Sequence, residues 1–144
     1  MIQKFYLTIK IIIFKKFIMR ELTRAEEQVM QVLWKLEKGF VKDILEQFKD
    51  PRPAYNTVST IVRILQDKGF VSHKAYGKTH EYFPVVSRDE YSHSHMKTFV
   101  KDYFSNSFES MVSFFAREKS ISISEMEEIM VIMEKEIKKQ KSKK

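Results

Sequence analysis

No cysteine occurs anywhere in the 144-residue chain, so disulfides, thiolate metal sites and a cysteine nucleophile are excluded together. A reducing, cytoplasmic location fits that composition. Glycine is almost as scarce: Gly39, Gly69 and Gly77 stand far apart, and isolated glycines cannot build a phosphate-cradling loop. Serine, histidine and aspartate are present but converge on no nucleophile elbow. The chain is therefore expected not to be an enzyme and to need no cofactor or small-molecule substrate. Long apolar runs are also missing. The most apolar stretch, residues 1–18, is interrupted by Lys10 and closed by Lys15 and Lys16, which leaves nothing near the ~20 residues of a membrane span. No small-residue cleavage site follows it.

The stretch of residues 1–18 has two readings. Phe5, Tyr6, Leu7, Ile9 and Ile11 to Phe14 suit an interfacial anchor at a headgroup layer. The preferred account makes the segment an extension read from an early start codon, because Met19 opens "MRELTRAEEQVM", which has the look of an ordinary domain start.

Charge is present but unevenly spread. The formal net charge of +7 rests on Lys4, Lys10, Lys15 and Lys16 at one end and on Lys138, Lys139, Lys141, Lys143 and Lys144 at the other. Without those nine, 17 basic residues face 19 acidic ones, so the body is slightly acidic and any affinity for nucleic acid must be local. Residues 51–80 supply a local site. Arg52, Arg63, Lys68, Lys74 and Lys78 there meet only Asp67.

Thr23 followed by Glu26 has the capping-box spacing, and Ala25, Val29, Val32, Leu33 and Leu36 recur at helical intervals. A helix is expected over about 23–37, stopped near Gly39. Val41, Ile44, Leu45 and Phe48 form the stripe of a second helix from about Phe40, which "DPRP" at 50–53 ends, because proline cannot continue a helix and restricts the residue before it. A third helix follows in "YNTVSTIVRILQDKGFV". Asn56 is its expected cap, Val58, Ile61, Val62 and Leu65 its buried stripe, and Gly69 its terminator. "FVSHKA" and "THEYFPV", joined around Gly77, read as a β-hairpin.

Beyond Pro84 the chain turns aromatic and methionine-rich. Tyr91, His95, Met96, Phe99, Val100, Tyr103 and Phe104 share a face over 88–104; Phe108, Met111, Val112, Phe114 and Phe115 follow; and Ser122 with Glu125 opens a last helix carrying Met126, Ile129, Met130, Met133 and Ile137. Three such helices enclose little core alone, so a second copy of the segment is the expected cover. The interface residues expected are Tyr91, Phe99, Tyr103, Phe108, Met111, Phe115, Met126, Ile129, Met130 and Met133. No metal site is expected. His93 and His95, near Asp89 and Glu90, are spaced i, i+2 and do not share a helix face.

A polar helix that follows a turned-back helix and leads into a basic hairpin is the layout of a winged helix-turn-helix. Short hydroxyl and amide side chains let such a helix approach base edges, and arginine can fork onto guanine or phosphate. Thr57, Ser59, Thr60 and Arg63 are the expected base-side residues, with Asn56 capping or touching the backbone. Lys68, His73, Lys74, Tyr76 and Lys78 are expected at phosphates. The fold class is thus mainly α with a small β-hairpin: an N-terminal winged helix-turn-helix (19–86) plus a C-terminal helical dimerisation domain (87–137), flanked by the extension 1–18 and the basic tail 138–144. The rival reading is a winged-helix module that binds protein, held at a membrane by its N-terminal segment.

The order Leu22-Thr23, Glu26-x-x-Val29-Met30, Leu33-Trp34, Thr57-Val58-x-Thr60, Arg63-x-Leu65 and Lys68-Gly69-Phe70-Val71 resembles the penicillinase-repressor (BlaI/MecI) family of transcriptional regulators. The resemblance covers about residues 19–137, closely in the first half and mainly by apolar spacing after residue 90. It implies a homodimeric repressor whose two winged helices occupy a dyad-symmetric, double-stranded operator. Copper-responsive members carry a C-terminal cysteine cluster, which this chain lacks. Beta-lactam-responsive members are inactivated through a membrane sensor metalloprotease by a cut at an Asn-Phe bond. The matching position is Phe114-Phe115, where the asparagine is missing.

Overall fold

The computed structural model describes the backbone of residues 2–17 and 20–143 and the side chains of residues 2–9 and 20–143. Helix α1 runs Ile2–Phe17; α2 Arg24–Leu36, α3 Val41–Glu46 and α4 Tyr55–Asp67 follow, then strands β1 Val71–Tyr76 and β2 Thr79–Pro84, then α5 Arg88–Phe104, α6 Phe108–Arg117 and α7 Ile123–Ser142. The expected insertion of Ile11 to Phe14 into a headgroup layer, the start at Met19 and the terminal Lys144 lie outside the described side chains or residues. Two compact units emerge, Met1–His95 and Met96–Lys144.

In the first unit, α2 begins as the capping box requires. Thr23 Oγ1 accepts from the Glu26 backbone N–H at 3.3 Å, and the Glu26 carboxylate accepts from the Thr23 N–H at 3.0 Å. Val29, Met30 and Leu33 then turn inward, joined by Val41 and Ile44 from α3 and by Val58, Val62 and Leu65 from α4. Each such side chain contributes roughly 1.5–3 kcal/mol by leaving water. Ala25 does not join them. It is exposed, and the buried residue of that turn is Glu26.

The end of α4 is set by Gly69, whose φ of +82° is a left-handed geometry that glycine reaches without Cβ strain. The chain then drops Phe70 and Val71 into the core and enters the hairpin. The strands pair antiparallel from Val71↔Pro84 to Tyr76↔Thr79. Gly39 exchanges backbone hydrogen bonds with Tyr82 at 2.9 and 2.8 Å, which seats the hairpin against the α2–α3 turn.

The units divide at His95/Met96, and Tyr91 lies in the first. This residue was expected at a dimer interface, but it is a core residue of the first unit, 6% exposed. Its ring lies 5.7 Å from Phe70 and 5.9 Å from Trp34, its hydroxyl accepts from the Leu22 N–H at 3.4 Å, and Trp34 Nε1 donates to Val86 O at 2.9 Å. Burial pushes the Tyr91 hydroxyl above the usual phenol range, against the opposing effect of the Leu22 hydrogen bond, so it stays a neutral phenol.

In the second unit, Phe99, Phe104, Phe114 and Phe115 form a chain of rings with centroids 5.5 to 5.8 Å apart. Ser107 and Ser122 cap α6 and α7. None of the residues of α7 is buried, although Ile123, Ile129, Met130, Ile132 and Met133 are apolar and exposed.

Candidate nucleic-acid interface

Helix α4 packs Val58, Val62 and Leu65 inward, and its other sides carry the polar residues singled out above. Asn56, Thr57, Thr60 and Arg63 are exposed, and Ser59 is half-buried. Asn56 is not the cap. The helix starts two residues earlier, with extended Ala54 (φ −68°, ψ 152°) as N-cap and its carbonyl accepting from the Thr57 and Val58 N–H groups. Asn56 therefore sits within the first helical turn with its amide outward. The Thr60 side chain is exposed, and its hydroxyl donates to Asn56 O at 2.9 Å. Arg63 lies back along α4, Nε donating to Ser59 O at 3.2 Å and Nη2 to Ser59 Oγ at 3.4 Å. Those contacts hold the guanidinium on the outer face with donors to spare.

Lys68 departs from its expected role. Its Nζ is 2.7 Å from Glu26 Oε2 and 3.5 Å from Glu21 O, with side-chain exposures of 19% for Lys68 and 8% for Glu26. The ammonium is thus spent on an internal ion pair that ties the end of α4 to the start of α2. Desolvation pushes the Glu26 carboxyl up, but hydrogen bonds and charge from Lys68 and the Thr23 N–H outweigh it, and the net effect is below the ordinary carboxylate value. His73 is also engaged. Its ring stacks on His80 at 4.1 Å, and its Nδ1 lies 2.6 Å from Gln66 Oε1, so it joins the hairpin to α4 rather than reaching outward.

On the hairpin, Lys74, Tyr76 and Lys78 are exposed. Lys74 Nζ lies 5.3 Å from the Tyr76 ring centroid, and that ring lies 5.7 Å from Phe40. Between α3, α4 and the hairpin runs an open groove of about 770 Å³ lined by Lys42, Tyr55, Ser59, Arg63, Lys78, Thr79 and His80 among others. Tyr82 lies at its floor; burial raises its hydroxyl pKa while Arg63 draws it down, with a net rise. Lys42, Tyr55, Thr79 and His80 were not foreseen. The signal for Lys42 was its place on the solvent side of a short amphipathic helix, and for Tyr55 its place at the first helical residue.

The residues expected at a dimer contact, Tyr91 apart, belong to the second unit. Tyr103, Phe108, Ile129, Met130 and Met133 are exposed, and Phe99, Met111, Phe115 and Met126 half-buried. The Phe114-Phe115 bond lies inside α6.

Within the first unit, helices α2 to α4, the hairpin docked on them and the exposed polar face of α4 make a winged-helix domain. The chain belongs to the penicillinase repressor family, whose sequence model matches residues 22–135. It is 28% identical over 118 residues to the methicillin resistance regulatory protein MecI of Staphylococcus aureus strain N315, covering 80% of this chain and 94% of that protein. MecI of Mammaliicoccus sciuri is 27% identical over 116 residues, with 80% and 94% covered. The penicillinase repressor of Bacillus licheniformis is 24% identical over 115 residues, with 79% and 90% covered. A solution structure of the DNA binding domain of the repressor BlaI aligns with a TM-score of 0.45 at 23% identity, covering 51% of this chain and 90% of that one. Among the described residues no helix is long and apolar enough to cross a membrane.

Proposed function

We propose that the protein is a cytoplasmic transcriptional repressor that binds a dyad-symmetric operator as a homodimer, with α4 in the major groove and the β1–β2 hairpin against phosphates. One observation carries the reading: α4 exposes Asn56, Thr57, Thr60 and Arg63 opposite its buried stripe, beside a lysine-bearing hairpin. The body of the chain is otherwise slightly acidic, so this face is where a polyanion is attracted. Membership of a repressor family supports the regulatory role. The apolar exposure of α6 and α7 supports a second copy of the chain as partner. Release through a membrane sensor metalloprotease rests on the family resemblance alone, and with Phe114 in place of asparagine the same cut does not follow from it; incubation with a cognate sensor, read for a fragment ending near residue 114, tests it.

The test of the main reading begins with operator fragments selected from a random DNA pool by the protein itself. Arg63→Ala is expected to cost about 1–3 kcal/mol at the selected site and to relax specificity there. Lys78→Ala is expected to weaken all sequences about equally and to lower the salt slope by about one. Wild-type affinity of Arg63→Ala for the selected operator sinks the assignment of α4.

A further inference from the structure

We infer that α1, read from the sequence as an extension ahead of Met19, is instead a docking helix for the surface of an anionic lipid bilayer. Every described side chain of the helix, from Ile2 to Ile9, is exposed, including Ile2 at 86% and Phe5 at 71%. Tyr6 and Leu7 are exposed with them, and a helix that keeps this much apolar surface needs an apolar environment to cover it. At 16 residues the helix is about 24 Å long at 1.5 Å per residue, short of the ~30 Å hydrocarbon core. It is therefore too short for a span, and apolar residues interrupted by lysines leave the surface of the bilayer as the place it can enter.

Charge selects the occupant. The segment carries Lys4, Lys10, Lys15 and Lys16 and no acidic residue. A second α1 as partner sets lysines against lysines. A nucleic acid satisfies the lysines but leaves Ile2, Phe5 and Leu7 in water. An anionic bilayer meets both demands, because its acyl chains cover Ile2, Phe5 and Leu7 while its headgroup phosphates attract a lysine-bearing segment. Docking of this kind draws on none of the α4 or hairpin residues, so it stands apart from the reading of that face as a DNA interface.

The full chain is to be mixed with vesicles of phosphatidylglycerol and phosphatidylcholine, or of phosphatidylcholine alone, and the bound fraction read by sedimentation. Binding is expected to be at least about tenfold tighter on the anionic vesicles, as several lysines near a charged surface require. Phe5→Glu combined with Ile9→Glu is expected to abolish it while circular dichroism and DNA affinity stay at wild-type values. In a second measurement, Tyr6→Trp is expected to add a component to the emission of Trp34 that shifts to the blue on vesicle binding, as burial of an indole demands. Equal binding to both vesicle types overturns the proposal, as does undiminished binding by the double variant or an added emission component in Tyr6→Trp that does not shift. A change of oligomeric state on Phe5→Glu with Ile9→Glu, without loss of vesicle binding, assigns α1 to a second copy instead and overturns it equally.

Discussion

Lys68→Met separates two roles for one lysine. Methionine keeps the aliphatic stem against the domain and removes only the ammonium. In the wild type that ammonium lies 2.7 Å from Glu26 Oε2, with the two side chains 19% and 8% exposed. Removing one partner of a buried pair costs about 3–5 kcal/mol because the other charge is left uncompensated. Here some water reaches the lysine, and the Thr23 N–H still donates to Glu26 at 3.0 Å, so about 2 kcal/mol is expected. For a domain of this size that lowers the melting temperature by roughly 8–16 °C. The loss depends on pH. The Glu26 carboxyl titrates below its ordinary value in the folded chain, so its stabilisation is fully present above the ordinary carboxylate pKa of about 4.3 and is lost as the pH falls through the folded value. Urea melts of wild type and variant are thus expected to differ at pH 7 and to converge in acid. DNA titrations at two salt concentrations are expected to show the same salt slope for both. The reasoning is refuted by a variant within about 0.5 kcal/mol of wild type whose salt slope falls by about one, the behaviour of a phosphate contact.

Tyr91→Ala is expected to cost about 3–5 kcal/mol as a large core truncation, and the loss measured in urea melts is expected not to vary with protein concentration; a concentration-dependent loss returns Tyr91 to a dimer interface. Met130→Glu combined with Met133→Glu places two carboxylates on the exposed apolar face of α7 and is expected to raise the dimer dissociation constant at least about tenfold. Analytical ultracentrifugation reads it, and an unchanged dimer removes that face from the interface.

The helices and hairpin of the winged domain were legible because their signals are local. Thr23 and Glu26 cap a helix three residues apart, Val58, Val62 and Leu65 repeat at its pitch, and Gly69 sits where a positive φ is needed. What was illegible depends on distance along the chain. Lys68 reads as a free cation until Glu26, 42 residues away, is brought beside it. His73 reads as a surface residue until Gln66 and His80 close on it. Tyr91 shows by its spacing that it is buried, but spacing cannot say that Phe70, Trp34 and Leu22 do the burying. Asn56 was misplaced for a local reason of another kind: residue type favours it as a cap, yet the extended backbone after Pro53 lets Ala54 take that position.

These corrections alter the electrostatics of the proposed interface more than its outline. With Lys68 neutralised by Glu26 and His73 stacked on His80, the outward cations of α4 and the hairpin are Arg63, Lys74 and Lys78, and Lys74 stands opposite Glu81 in the strand register. With Arg63 assigned to a base edge, the two phosphate contacts left per protomer, Lys74 and Lys78, correspond to a salt slope of about −1.8, or roughly −3.6 for a dimer. That is enough to hold DNA only in concert with contacts that salt does not screen. Discrimination between operators is then expected to rest on Arg63 together with the uncharged groups of α4. Thr60 is exposed with its hydroxyl donating to Asn56 O, and the exposed Asn56 amide and Thr57 hydroxyl lie in the first turn, where a helix entering the major groove comes nearest to the bases.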